Sequence, residues 1–443
     1  MFRHRGQIFR RVERSYQEHY DWLMSSGLYE QLRDQRLLVE HTEENATAAE
    51  LDGAYKILRP ETVPFISYPY EWCFSQLKDA ALVTLRVAAL ALECEMTLKD
   101  ASAYNIQFFQ GRPVFIDTIS FQKYVAGEPW VAYRQFCEHF LAPLAIMASK
   151  DLRCSAWLQC HIHGIPLDLA CKLLPWHSAL NPSLAMHVFA HARAQTKYAG
   201  KSFKVPQGGM PKIALRALID NLTDCIDGMK LKESKSSWSE YYRDTSYTDE
   251  SLEGKAEIVQ RYLQQVCPST IWDIGANTGR FSFLAALKAE LVVSMDMDAL
   301  CVEHNYQRCR NEKTRNILPL IVDVTAPSPG IGWDNSERSG LFERGPADMI
   351  LALALVHHLA IGNNVPFALI AATLARMGKY LIVEFAPKGD SQVQRLLSSR
   401  KDIFDRYNET SFVDEFSVFF EIMDRQPIPQ SDRVLFLCRR LQP

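Results

Sequence analysis

The chain has 443 residues, of which 47% are hydrophobic, 23% charged and 11% aromatic. That composition excludes a disordered or collagen-like polymer, and at roughly 100–200 residues per domain it supports two domains. A net charge of −3 supplies no global electrostatic reason to bind nucleic acid.

The N-terminal stretch Met1–Leu23 is rich in arginine but has no apolar run and no small-residue cleavage site. Glu13, Glu18 and Asp21 favour a solvated helix face over an organellar presequence. Ala80–Leu92 is almost continuously apolar and predicts a buried helix. Asn105–Phe109 and Pro113–Asp117 predict two strands joined at Gln110-Gly111. Lys197–Lys212 has the Gly and Pro density of a loop, Ile213–Leu231 has near-helical apolar spacing, and Lys232–Glu240 reads as a polar linker. These features divide the chain into an α+β domain over 1–232 and a second domain over 238–443.

In the second domain strands and helices alternate. Strands are predicted at Thr270–Ile274, Leu291–Met295, Ile317–Val322, Ala347–Leu355 and Tyr380–Phe385. Helices are predicted at Gly279–Leu287, Leu300–Arg310 and Pro366–Met377. Alternation of this kind predicts a parallel sheet covered on both faces. Phe419–Arg425 and Arg433–Arg439 are separated by a turn too short for a crossover helix, so they are expected to pair antiparallel.

The eleven cysteines include no C-x-x-C pair, and the expectation is reduced thiols in a cytoplasmic protein. Cys154, Cys160, His161 and His163 fit no zinc spacing, so no metal is expected. The apolar stretch Ala80–Leu98 carries Arg86, Glu93 and Glu95, and Ala347–Ile361 falls short of the ~20 residues a bilayer span needs. No membrane segment is expected.

The chemistry concentrates in IWDIGANTGRFSF, Ile271–Phe283. An apolar strand runs into Asp273, then Gly275-Ala276-Asn277-Thr278-Gly279, then a helix. Glycines let the backbone turn tightly, and a helix start offers free N–H groups. A dinucleotide G-x-G-x-x-G fails, because Asn277 and Arg280 replace two glycines. A P-loop fails too, since Gln195 stands where the first glycine before Gly200-Lys201-Ser202 belongs.

The D-x-G-x-x-x-G form resembles motif I of the class I S-adenosylmethionine (SAM) methyltransferases. LVVSMDMD ends its strand in Asp296, LIVDVT ends in Asp323, and DMILALALVHHL matches the family's fourth strand. The resemblance covers about Trp238–Arg440. It implies an α/β fold, a seven-stranded Rossmann-like methyltransferase sheet whose last strand is antiparallel. WSEYYRDTSY (Trp238–Tyr247), Gly332–Asp348, Ala352–Pro366 and Val383–Leu397 are similar to the host-specific nodulation (NoeA-like) group of bacterial methyltransferases. That similarity implies a small-molecule or glycan-type acceptor.

What the resemblance implies for the site is specific. The backbone from Gly275 through Ala276 and Asn277 to Gly279 cradles the methionine end. Asp273 binds the methionine ammonium, Asp296 with Met297 the ribose, and Asp323 with Val324 the adenine. Each acid also has an ordinary reading as a turn or helix cap. Methyl transfer needs the acceptor positioned and often deprotonated. His357 and His358, at the expected end of the fourth strand, are candidate bases, because a histidine pKa near 6.5 suits that task. Glu384 is a further candidate. An N/D-P-P-[YF] motif is absent, which argues against an exocyclic amine on nucleic acid or protein. Trp333, Phe342, Tyr241, Tyr242 and Tyr247 are candidates for a closing loop.

Lys99–Phe121 resembles the catalytic segment of kinase-like phosphotransferases, with Asp100, Asn105 and Asp117 at the base and metal positions and Tyr70-Glu71-Trp72 as a hinge. No Gly-rich phosphate loop precedes it, and Lys56 is an unsupported candidate for an ATP contact. A bifunctional kinase–methyltransferase and a non-catalytic SAM-binding scaffold are the alternative functions.

Overall fold

The computed structural model describes residues 1–4, 6–44, 54–198, 209–231 and 248–441. The Lys232–Glu240 linker, Tyr241, Tyr242, Tyr247 and the middle of the Lys197–Lys212 loop lie outside the described residues. The chain divides into two compact units, Met1–Glu233 and Ser234–Pro443.

The first unit opens with an antiparallel sheet of β1 (Phe2–His4), β2 (Gln7–Glu13), β3 (His41–Glu44) and β4 (Ala54–Pro60), in the order β1-β2-β4-β3. Val12, Tyr16, Tyr20 and Leu58 form a buried cluster on it. The apolar helix spans Phe74–Glu93, starting earlier than expected because the Gln76 side chain accepts the Cys73 N–H at 3.0 Å and caps it. Two small antiparallel pairs follow: β5 (Met96–Leu98) with β8 (Phe121–Lys123), and β6 (Ile106–Phe109) with β7 (Arg112–Phe115). The β6–β7 turn uses left-handed Gln110 and Gly111, as a tight hairpin requires. The second strand stops at Phe115 rather than Asp117. Asp117 instead caps a turn, accepting the Ile119 N–H at 3.1 Å. A helix over Lys212–Asp227 ends the unit's described part.

The second unit is built on seven strands: β9 (Thr270–Ile274), β10 (Leu291–Asp296), β11 (Ile317–Ile321), β12 (Ala347–Ala352), β13 (Gly378–Phe385), β14 (Phe420–Pro427) and β15 (Val434–Arg440). Their order is β11-β10-β9-β12-β13-β15-β14. The first five run parallel, and β15 is antiparallel to both neighbours. This is the seven-stranded Rossmann-like methyltransferase sheet. The strand order reverses at β9, which pairs with β10 on one side and β12 on the other. A crevice beyond the strand ends is therefore expected there.

Helices Asp249–Val266, Ser391–Leu397 and Glu409–Ser417 were not anticipated from sequence. The first is amphipathic, and its Val259, Tyr262 and Leu263 join Ile271, Ala285 and Val292 in one core. Each fully buried aliphatic side chain there contributes about 1.5–3 kcal/mol. A second, aromatic cluster joins Phe367, Phe385, Tyr407, Phe412 and Phe416, with the Phe412 and Phe416 rings 4.1 Å apart. No helix among the described residues is long and apolar enough to cross a membrane.

Candidate functional site

The site grows from the turn after β9. Gly275, Asn277 and Gly279 have φ of +73°, +52° and +82°, a region that glycine and, less often, asparagine tolerate. The N–H groups of Gly275 and Ala276 donate to the Met295 carbonyl at 2.8 and 2.9 Å, stitching the turn to β10. A Cβ on Gly279 would fall 2.6 Å from the Asn305 side chain, so a larger residue here would strain the left-handed turn and push the Asn305 amide away from Ser294.

Two acids hold the turn from below. Asp296 accepts the Asn277 N–H at 2.7 Å and the Asp298 N–H at 2.8 Å, one on each oxygen. Asp273 is buried and accepts the Ser282 hydroxyl at 2.6 Å. Ser282 and Asn305 both reach Ser294 at 2.8 Å, completing a buried polar chain. Burial pushes both carboxyl groups up to about 6; the Ser282 bond opposes this at Asp273 and the backbone N–H bonds oppose it at Asp296. Asp323 lies two residues beyond the end of β11, not at the strand's end as expected, and accepts the Thr325 N–H and hydroxyl at 2.8 and 2.6 Å.

A cavity of about 350 Å³ opens over these groups, within the usual size range of small-molecule sites. Asp273, Gly275, Ala276, Asn277, Asp296, Met297, Asp323 and Val324 all line it; Gly279 does not, and shapes the turn from behind. Leu252, Ile274, Val322, Leu353 and Leu355 supply apolar walls. Lys255, on helix Asp249–Val266, also lines the cavity and was missed in the sequence, since it belongs to no motif.

The three candidate bases separate. β12 ends at Ala352, before the expected Leu355, because Ala354 turns into the left-handed region at φ +52°. The histidines therefore lie beyond the strand, and only His358 lines the cavity. Burial and Arg433 push it down to about 4, not the ordinary 6.5, so it is neutral at physiological pH. His357 is fully buried, and its ring centroid is 4.2 Å from that of His358. Neither of its ring nitrogens has a hydrogen-bond partner among the described residues. Glu384 is also fully buried and faces inward. It accepts Lys255 Nζ at 2.5 Å, Arg433 Nη1 at 2.9 Å and the Ala354 N–H at 3.1 Å. Arg433 in turn grips Asp390 with two bonds of 2.7 and 2.9 Å. A carboxylate committed to two cations and an N–H holds the turn after β12 and does not reach the cavity.

In the first unit, the kinase-like positions hold local structure. Asp117 is ion-paired with Arg10 and accepts the Ser120 hydroxyl at 2.5 Å. Asn105 donates to the same hydroxyl at 3.2 Å, and Asp100 accepts the Ser102 N–H at 3.0 Å. Lys56 pairs with Glu43 at 2.5 Å. Glu71 caps its own turn by accepting the Tyr68 N–H at 3.0 Å. No metal-holding cluster of His, Cys, Asp or Glu occurs among the described residues. All eleven cysteines are free thiols. Of the loop aromatics, Trp333 is exposed and Phe342 lies beneath the Arg376 guanidinium at 4.2 Å.

The chain is 36% identical over 419 residues to nodulation protein NoeA of Rhizobium meliloti (strain 1021), covering 93% of this chain and 88% of NoeA. It belongs to the NoeA family. The aligned length exceeds either unit, so the relationship to NoeA runs through both. No family model matches the chain. Among solved structures, it is similar to N-methyltransferase NodS from Bradyrhizobium japonicum WM9 in complex with S-adenosyl-L-homocysteine (12% identity, 47% of this chain, 100% of NodS, TM-score 0.33). It is similar to magnesium protoporphyrin IX methyltransferase ChlM from Synechocystis PCC 6803 with bound SAM (16% identity, 46% of this chain, 89% of ChlM, TM-score 0.32). It is also similar to the bifunctional kinase-methyltransferase WbdD (14% identity, 43% of this chain, 40% of WbdD, TM-score 0.32).

Proposed function

We propose that this NoeA-family chain is a SAM-dependent methyltransferase acting on a small-molecule or glycan-type acceptor, with the cofactor held by the unit Ser234–Pro443. The observation that carries the reading is the convergence of Asp273, Asp296 and Asp323, at or just beyond the ends of three adjacent strands, on one cavity at the switch point of the sheet. Three carboxylates suit a ligand with a sulfonium and an ammonium. Asp296 uses one lone pair of each oxygen on backbone N–H groups, which leaves acceptor capacity for two ribose hydroxyls. A Cβ on Gly275 would sit 3.2 Å from Leu355 and narrow the cavity between β9 and β12, so the glycine keeps it open.

When bound, SAM supplies an electrophilic methyl carbon on a positively charged sulfur. The chain's own residues then position and deprotonate. The Gly275–Asn277 backbone and Asp273 orient the amino-acid end, and Asp323 with Val324 faces the adenine. His358, neutral at the cavity wall, receives a proton from the acceptor hydroxyl or amine as the acceptor attacks. The buried Lys255–Glu384–Arg433 network holds the backbone that carries His358. Acceptor or partner recognition is assigned to the unit Met1–Glu233. Its Asp117 is already neutralised by Arg10, which opposes a metal role there and favours a scaffold over a kinase. A cytoplasmic setting belongs to this reading.

The test is calorimetry with SAM and S-adenosylhomocysteine (SAH), followed by radiolabelled SAM with fractionated glycans and small metabolites. Binding of both ligands and label transfer to an extractable non-protein product support the proposal. Absence of binding rejects it. Binding without transfer to any fraction promotes the scaffold alternative.

A further inference from the structure

The turn His358–Gly362 and the residues after it wall two cavities. His358, Leu359, Gly362 and Asn363 line the cavity described above, whereas Ala360, Asn364, Val365 and Phe367 line a second one of about 440 Å³. Another wall of the second cavity is a strap, residues 403–407. It follows helix Ser391–Leu397, whose Leu396 lines the first cavity. The strap is pinned. Arg400 donates to the Ile361 and Gly362 carbonyls at 2.5 and 3.1 Å and to Asn364 Oδ1 at 3.0 Å. Lys388 pairs with Asp402 at 2.7 Å and donates to the Phe404 carbonyl at 3.1 Å. The cavity is therefore preformed, and an occupant does not pay to order its walls. Those walls are largely apolar. Ala360, Phe367 and Tyr407 are buried, and Tyr407 spends its hydroxyl on the Ala386 carbonyl at 2.8 Å. Ile403 is 66% exposed, and apolar surface left in water gains by being covered. Of the charged lining residues, Arg406 and Glu415 pair at 2.7 Å, which leaves Asp405 to repel an anion. Such a space suits an uncharged chain of methylenes and disfavours a fatty-acid carboxylate.

We propose that the second cavity is a subsite for an uncharged alkyl or acyl chain of the methyl acceptor. The acceptor is then an amphiphile whose polar, reacting end crosses the turn at Gly362–Asn364 to reach His358. Continuity names this occupant, because one short stretch of backbone walls both cavities and a ligand lying over it touches each. The proposal rests on the cofactor reading above and deepens it by naming a class of acceptor.

The probes are methyl, hexyl and octyl β-D-glucoside and octanoate, titrated calorimetrically into the full chain below their micellar concentrations, with and without SAH. Octyl glucoside is expected to bind about tenfold more tightly than hexyl glucoside, since each buried methylene is worth about a fourfold gain. Methyl glucoside and octanoate should both bind more weakly than octyl glucoside. Ile403→Asp, at an exposed position, should weaken octyl glucoside by about tenfold or more and leave SAH affinity within about twofold. Ser411→Phe, which fills the cavity from helix Glu409–Ser417, should do the same. With radiolabelled SAM the methylated product should partition into butanol. Ile403→Asp should then raise the KM for its acceptor and keep kcat, because contacts to a non-reacting chain are equal in ground and transition states. Affinity that ignores chain length, displacement of octyl glucoside by SAH, or unchanged binding in both variants overturns the proposal, as does a labelled product confined to water. A protein that binds octyl glucoside but not SAH keeps the alkyl site and overturns the cofactor reading, and with it the acceptor assignment.

Discussion

The ligand-free protein should bear a stability cost at Asp273, visible as a pH-dependent effect of Asp273→Asn. The carboxyl is buried and its pKa is raised from 3.8 to about 6. For an acid raised on folding, the folded state binds more protons than the unfolded state between the two values, so stability falls as pH rises through that window. With pKa values of 3.8 and about 6, this one group stabilises the fold at pH 5 relative to pH 7.5 by about 1.4 kcal/mol. Asparagine has no such titration. It can still accept the Ser282 hydroxyl, and the cost of its extra amide group, about 1–3 kcal/mol if unsatisfied, is the same at both pH values. The effect of the substitution should therefore be more favourable at pH 7.5 than at pH 5 by about 1.4 kcal/mol. Two units do not guarantee a single transition, so the assay is native-state hydrogen exchange on β9 and β10 peptides, with urea as the variable. An effect equal at both pH values, or more favourable at pH 5, refutes the argument that burial dominates at Asp273. In the same protein SAH affinity should fall, because the carboxylate that costs stability in the empty fold is the proposed partner of the ligand's ammonium.

Asp296→Ala should weaken SAH by about tenfold or more, through loss of two ribose bonds and of the caps on Asn277 and Asp298; calorimetry measures it. Because Asp273 and Asp296 both titrate near 6, SAH affinity should hold from pH 8 to 7 and drop below pH 6, by up to about tenfold per pH unit for each acid. His358→Ala should leave SAH affinity nearly unchanged while lowering label transfer, and with saturating SAM the wild-type rate should not fall until pH approaches 4, where His358 takes a proton. Arg433→Met should cost about 3–5 kcal/mol, read as loss of exchange protection in β13 and β15, because Asp390 loses its bidentate partner and Glu384 one of its two cations.

The strand–helix alternation after residue 270 was legible because β9 to β13 are apolar runs bounded by turn residues, and a parallel sheet needs both faces covered. Strand ends were less legible. Nothing local marks Ala354 as left-handed; that conformation accompanies a hydrogen bond from its N–H to Glu384, thirty residues away. Helix Asp249–Val266 was overlooked because it stands beside the polar segment taken as a linker, although its N-terminal Thr248 and acidic first turn are ordinary start signals. In the first unit the expected β6–β7 hairpin forms at Gln110-Gly111, whereas Asp117 caps a turn and pairs with Arg10 from a strand a hundred residues earlier.

For the site, the sequence determined what depends on spacing along one strand and its turn. Asp273, the glycines at 275 and 279, and Asp296 at the end of the next strand follow from a backbone that must turn sharply and a sheet that places successive strand ends side by side. Tertiary structure decided everything that depends on which side chains face one another across the sheet. It sent His358 to the cavity and His357 into the core, turned Glu384 from a candidate base into an inward anchor, and brought Lys255 from an unremarked helix to the cavity wall. It also set the charges' chemistry, because burial raises Asp273 and Asp296 and lowers His358. Burial is a property of the packed unit, and neighbouring letters in a chain do not encode it.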